Sequence, residues 1–182
     1  LIRAVEVVDT RNLKLDEMRA EIDRFYAAVD EHVRNLVRIH AKRLSCKKGC
    51  SACCIDGLTV FEVEAEHIRF HCSEELKHQK PHPLGKCAFL DDQGACRIYE
   101  HRPYVCRTQG LPLRWLDEDK EIEYRDICPL NENDDPIENL PENQCLTIGF
   151  FESWLAKIQL EFGNGFLKRL SLRELFDEIQ KS

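Results

Sequence analysis

The chain has 182 residues, 43% of them hydrophobic and 32% charged, with a net charge of −7. That is long enough to bury a core without disulfide staples, and the acidic balance with no basic stripe argues against a nucleic-acid binder. No apolar run reaches the length of a membrane span, and Leu1 to Arg11 is too polar for the core of a signal peptide. A trimmed chain is expected from the missing initial Met, and a cytoplasmic one from the missing export signal and the cysteine usage.

In chain order, the first expected element is a long amphipathic helix over residues 13–44. Leu15, Met18, Ile22, Phe25, Val29, Val33, Leu36, His40 and Leu44 recur at steps of three and four. Asp16, Glu17 and Glu21 lie early and Arg38, Lys42 and Arg43 late, which suits the helix dipole.

A cysteine loop follows over residues 45–58, with Gly49 and Gly57 to make its turns. Thr59 and Glu62 fit a capping box for a second helix running to about Cys72. Residues 73–86 read as a polar connection. Asp91-Asp92-Gln93-Gly94 is the turn of a small hairpin with Cys87 and Cys96 at its outer ends. Pro103 opens a short helical turn carrying Cys106. A second hairpin joins 111–116 to 121–127 through an acidic turn and ends at Cys128. Residues 131–143 read as a polar linker. Two helices are expected in the tail, about Leu146 to Phe162 and Leu172 to Ile179, broken at Gly163-Asn164-Gly165.

The fold class is therefore α+β, mostly helical. A long N-terminal helix and C-terminal helices surround a cysteine-rich, metal-centred core with short β-hairpins. The expected organisation is an N-terminal helical segment (1–44), a cysteine-cluster domain (45–130) and a C-terminal helical segment (131–182) packed on the same domain.

The chemistry lies in the ten cysteines. Cys46, Cys50, Cys53 and Cys54 fall within nine residues. Crowded thiolates repel unless a cation holds them, so local clustering in a chain of this size favours metal over disulfides. The spacing C-x3-C-x2-C lets Cys46, Cys50 and Cys53 cover one face of an ion or cluster, with Cys54 pointing elsewhere. Paired zinc-ribbon knuckles are absent, and the short steps resemble iron–sulfur usage. The triplet also has the spacing of radical S-adenosylmethionine enzymes, but the chain is too short for their barrel and lacks strand–helix alternation. With Cys87, Cys96, Cys106 and Cys128, eight thiols could build two four-coordinate sites, or one site plus redox or structural thiols.

The ordered motifs resemble the YkgJ-type cysteine cluster family, the CxxCxxCC domain. They are Cys46, Cys50, Cys53 and Cys54; Cys87-Ala88-Phe89-Leu90; Cys96-Arg97-Ile98-Tyr99-Glu100-His101-Arg102-Pro103 with Cys106-Arg107; and Cys128-Pro129. The resemblance covers roughly residues 46–130. It implies a bacterial or archaeal metal-chelating domain holding zinc or iron, with Cys46, Cys50, Cys53, Cys54, Cys87, Cys96, Cys106 and Cys128 as ligands. Cys72 and Cys145 fall outside the pattern and read as core or spare thiols. A related pattern in the longer flagellin lysine N-methylases keeps an iron–sulfur enzyme of methylation or redox transfer as an alternative. An interaction module with structural zinc is another. The expected partner is a metal ion, with no nucleic acid and no membrane.

Outside the thiols, Arg102 and Arg107 are candidates to hydrogen-bond metal-bound sulfur or an anion, or else to form salt bridges. Tyr99 reads as a packing residue. His67 and His71 share a helix face, and a solvated face explains them better than a metal does. His78 and His82 carry less weight still. Asp91 and Asp92 are turn residues.

Overall fold

The computed structural model describes residues 10–47, 49–117 and 119–179. Residues 1–9, Lys48 of the cysteine loop, Glu118 of the acidic turn and residues 180–182 lie outside them. Six α-helices and five short strands are described: α1 (Thr10–Ile39), β1 (Thr59–Phe61), α2 (Glu62–His71), α3 (Ser73–His78), α4 (Tyr104–Thr108), β2 (Leu113–Asp117), β3 (Ile122–Asp126), β4 (Leu146–Thr147), α5 (Ile148–Phe162), β5 (Arg169–Ser171) and α6 (Glu174–Ile179). The fold is α+β and mostly helical, with the long N-terminal helix that the periodicity predicts. No helix among the described residues is long and apolar enough to cross a membrane.

The stripe of α1 buries Met18, Ile22, Phe25, Val29 and Leu36 against α5, where Phe151, Leu155 and Ile158 face it. Each fully buried side chain of this size contributes about 1.5–3 kcal/mol. The helix stops at Ile39, five residues before the expected end. His40 and Arg43 turn back instead of extending it. His40 Nε2 donates to the Gln144 carbonyl at 2.7 Å, and Arg43 donates to the Asp135 carbonyl at 2.6 Å.

A second hydrophobic cluster joins α2 and α3 to the segment around Cys87–Leu90 and to α6, through Ile68, Leu76, Phe89, Leu175 and Phe176. Helix α2 serves both clusters. Val63 faces the α1–α5 side, whereas Ala65 and Ile68 face the cysteine side.

The strands make two small sheets. β1 pairs antiparallel with β5, Val60 opposite Leu170. β2 pairs antiparallel with β3 and parallel with β4, giving the order β3-β2-β4. Trp115 and Tyr124, directly opposite, stack at 5.5 Å.

Four local expectations change. Thr59 lies in β1 and does not cap α2; the capping carboxylate is Glu64, which accepts from Phe61 N–H at 3.2 Å. The connection 73–86 contains α3. The linker 131–143 is a chain of three 3-10 turns and carries the fully buried Asn131. Between the two tail helices the chain inserts β5, whose partner strand lies over a hundred residues away in sequence.

Candidate metal centre

The cysteine loop is shaped by turns: Cys50 N–H bonds Lys47 O, Cys54 N–H bonds Ser51 O, and Gly49 and Gly57 sit at φ +90° and +75°. Cys87 N–H donates to the Cys54 carbonyl at 3.0 Å and joins this loop to the next cysteine segment. Arg173, just before α6, bonds Asp56 Oδ1 at 3.0 Å, His82 O at 2.7 Å and Lys86 O at 3.0 Å. It thereby pins the loop to the approach to Cys87.

The hairpin shrinks to a single bridge, Leu90 opposite Cys96. Asp91 Oδ1 accepts from Gln93 and Ala95 N–H, as a turn aspartate does. Arg97 donates to the Ala88 carbonyl at 2.6 Å and closes the hairpin base. Pro103 caps α4, which carries Cys106.

Together these elements bring Cys50, Cys53, Cys54, Cys87, Cys96 and Cys106 to the lining of one cavity, with Tyr99 and Arg102 at its wall. Its volume is about 60 Å³. That space takes an ion or a few waters, at about 10–15 Å³ per water, and is far below the roughly 300 Å³ of an organic ligand pocket.

Cys54 was expected to point elsewhere, yet it lines the cavity. Cys46 is not in the lining. Its Sγ accepts from Asn131 Nδ2 at 3.3 Å, beside Gly110. Cys128 is also outside the lining; its carbonyl accepts from Asn131 N–H at 2.7 Å. Of the four thiols of the loop, Cys50, Cys53 and Cys54 thus line the cavity. Sequence spacing could not show this, because Asn131, 85 positions away, draws Cys46 off. Cys72 and Cys145 are buried in the core, as expected.

The electrostatics set one acidic thiol among neighbours that hold their protons. Cys54 donates to the Cys53 sulfur, which with the nearby Arg102 charge holds the Cys53 thiol down at about 6. Donating that bond, then burial, raises Cys54 well above the usual thiol range. Burial and the neighbouring thiols push Cys106 up to about 12, and burial raises Cys87 and Cys96.

The two arginines separate. Arg102 packs its guanidinium 3.7 Å over the Tyr99 ring at the cavity wall. Arg107 forms a 2.7 Å ion pair with Asp30, bonds the Arg102 and Glu100 carbonyls, and lies 4.2 Å over Tyr26. It is a structural clamp on α1.

His67 and His71 are not a solvated pair. His67 is buried, and the 3-10 turn Tyr99–His101 brings His101 against both. Among the described residues, these three histidines are the group whose ligand atoms all lie within 4.8 Å of one another; the cavity thiols are spread more widely. His101 comes from a distant turn, so spacing along α2 could not reveal the trio.

Residues 45–129 match the family model CxxCxxCC, an ascribed zinc- or iron-chelating domain. That segment, just under half of the chain, is similar to the CxxCxxCC family. No curated protein and no solved structure matches the chain. The CxxCxxCC match begins at the cysteine loop and ends just past Cys128, so it takes in all eight motif cysteines, the cavity and the histidine trio.

Proposed function

We propose that the chain is a metal-binding protein whose clustered thiols hold zinc or iron, the iron either alone or as an iron–sulfur cluster. One observation carries this reading: six family cysteines from four separate stretches line one small cavity. An all-sulfur donor set suits soft or borderline metals, zinc and iron–sulfur clusters above all. The residues fit such a group chemically. Burial and mutual proximity keep most of these thiols neutral, and a cation would reverse that by favouring thiolates. Cys50, Cys53, Cys54, Cys87, Cys96 and Cys106 would hold the metal, which supplies folding energy and, if iron, redox capacity. Arg102 at the wall offsets the negative charge of the sulfurs. Cys46 and Cys128 complete the eight-thiol set from beside Asn131, through a second position or a local shift. The segment 45–130 is read as the metal domain, with helical segments 1–44 and 131–182 around it.

The small cavity favours a chelating or structural role over an iron–sulfur enzyme that admits an organic substrate to the same centre. The test is metal analysis with absorption spectroscopy on anaerobically purified protein. Stoichiometric zinc or iron is expected, lost by half or more in Cys53→Ser and Cys106→Ser and unchanged in Cys145→Ala. Equal metal content in all four proteins, or cysteines recovered as disulfides without metal, would overturn the reading.

A further inference from the structure

Beside the thiol cavity, on the far side of one turn, stands a second set of donors. Tyr99 and Arg102 of that turn line the cavity, whereas His101, between them, meets His67 and His71 of α2. None of the three histidines lines the thiol cavity. The rings of His71 and His101 are parallel to within 9° at 4.5 Å, and His67 lies 4.3 Å from His71 and 5.7 Å from His101, centroid to centroid.

The decisive residue is His67. Its side chain is 5% exposed, and neither ring nitrogen has a hydrogen-bond partner. A buried imidazole without partners loses the solvation of two polar atoms and gains no hydrogen bond in return. Native structures rarely leave such groups unmet without a functional reason. The nearest carboxylate, Asp23 Oδ1, stands 3.5 Å from Nδ1. Burial and the neighbouring histidines hold His67 near 3, so the ring is a neutral donor at ordinary pH. Tyr26 walls it at 5.1 Å, edge to face. The site opens to solvent through the exposed His71 and half-buried His101.

We propose that His67, His71 and His101 form a second metal site, for a borderline divalent transition cation such as zinc, cobalt or nickel. Imidazole nitrogen suits these ions, and three rings from one face leave a fourth position for water. Asp23 adds a negative charge close to the set, in the role that carboxylates play behind metal-binding histidines. The site is distinct from the thiol centre in donor chemistry, so the two can be read apart.

The test is cobalt(II) titration of the full chain, first loaded with zinc and then dialysed against a weak chelator, so that the thiols keep their zinc and the imidazoles start empty. The expected result is uptake of one cobalt with visible d–d bands and no added sulfur-to-metal charge-transfer absorption. His71→Gln and His101→Gln, both at accessible positions, should each weaken cobalt binding at least tenfold while zinc at the thiols stays unchanged. In the unaltered protein, bound cobalt should shift the ring-proton resonances of these three histidines, a readout independent of any variant folding. No cobalt uptake, uptake that both variants leave intact, or uptake carrying sulfur charge transfer would each overturn the site. Should the thiols hold no metal at all, histidine-shifted cobalt uptake would still support it, so the two readings fail separately.

Discussion

Glu64 is a fully buried carboxylate at the start of α2, and three donors converge on it. Tyr26 Oη donates at 3.1 Å, Tyr104 N–H at 2.8 Å and Phe61 N–H at 3.2 Å. Burial nevertheless raises its pKa above the usual carboxylate value. These bonds tie α1, β1 and α4 to one side chain. Glu64→Ala would leave three buried donors unmet, so a loss of about 3 kcal/mol or more is expected in chemical denaturation. Glu64→Gln keeps one acceptor oxygen and should lose less; equal losses would show that the acceptor bonds do not matter. From sequence, Glu64 is one acid among Glu62, Glu64 and Glu66, and nothing marks which one turns inward. The cysteines were legible as a group by their density, but which of them share a cavity was not, since Cys54 lines it while Cys46 is bonded by Asn131, 85 positions away.

Elements with a strong local signal were read well. The stripe of α1, the acidic turn between β2 and β3, and the Gly163-Asn164-Gly165 break between helices all stand where pattern places them. Elements made by distant partners were not. β5 exists because β1 pairs with it, and the turns at 129–144 are held by His40, Arg43 and Arg125. The junction after α4 depends on one backbone position. Gly110 has φ +92°, and a Cβ there would overlap Cys46 Sγ and crowd Asn131 Nδ2. Gly110→Ala is therefore expected to destabilise the protein by about 2 kcal/mol or more, from backbone strain and overpacking together. A melting temperature within one degree of the unaltered protein would contradict that assignment. Gly149→Ala, where a Cβ meets nothing, is the matched control.

At the scale of the whole molecule, two hydrophobic clusters share α2 but differ in what supports them. The α1–α5 cluster is apolar and aromatic, with Phe25 meeting Tyr104, Phe151 and Trp154 at 5.4–6.3 Å. The other cluster rests on Cys87, Ala88, Phe89 and Leu90, of which Cys87 and Leu90 also line the thiol cavity. Stripping the metal with a strong chelator should therefore act unevenly. The melting temperature is expected to fall by about 10 °C or more, at about 2–4 °C per kcal/mol for a chain of this size. Amide exchange should quicken across residues 50–106 while α1 and α5 stay protected. Uniform acceleration along the chain would mean that the two clusters unfold as one.

Asn131 gives this division a topological meaning. Its side-chain oxygen accepts from Ser45 N–H at 2.8 Å, and its nitrogen donates to the Gly110 carbonyl at 2.8 Å. The first and last residues of the cysteine-bearing stretch thus meet at a single amide, while α1 and α5 on either side of it pack together directly. The clasp closes the stretch into a loop whose ends touch, so little closure entropy separates them once α1 and α5 are packed. Val63 and Tyr104 in the α1–α5 cluster, and β1 and β2 paired with β5 and β4, then sew that loop to the helices along its length.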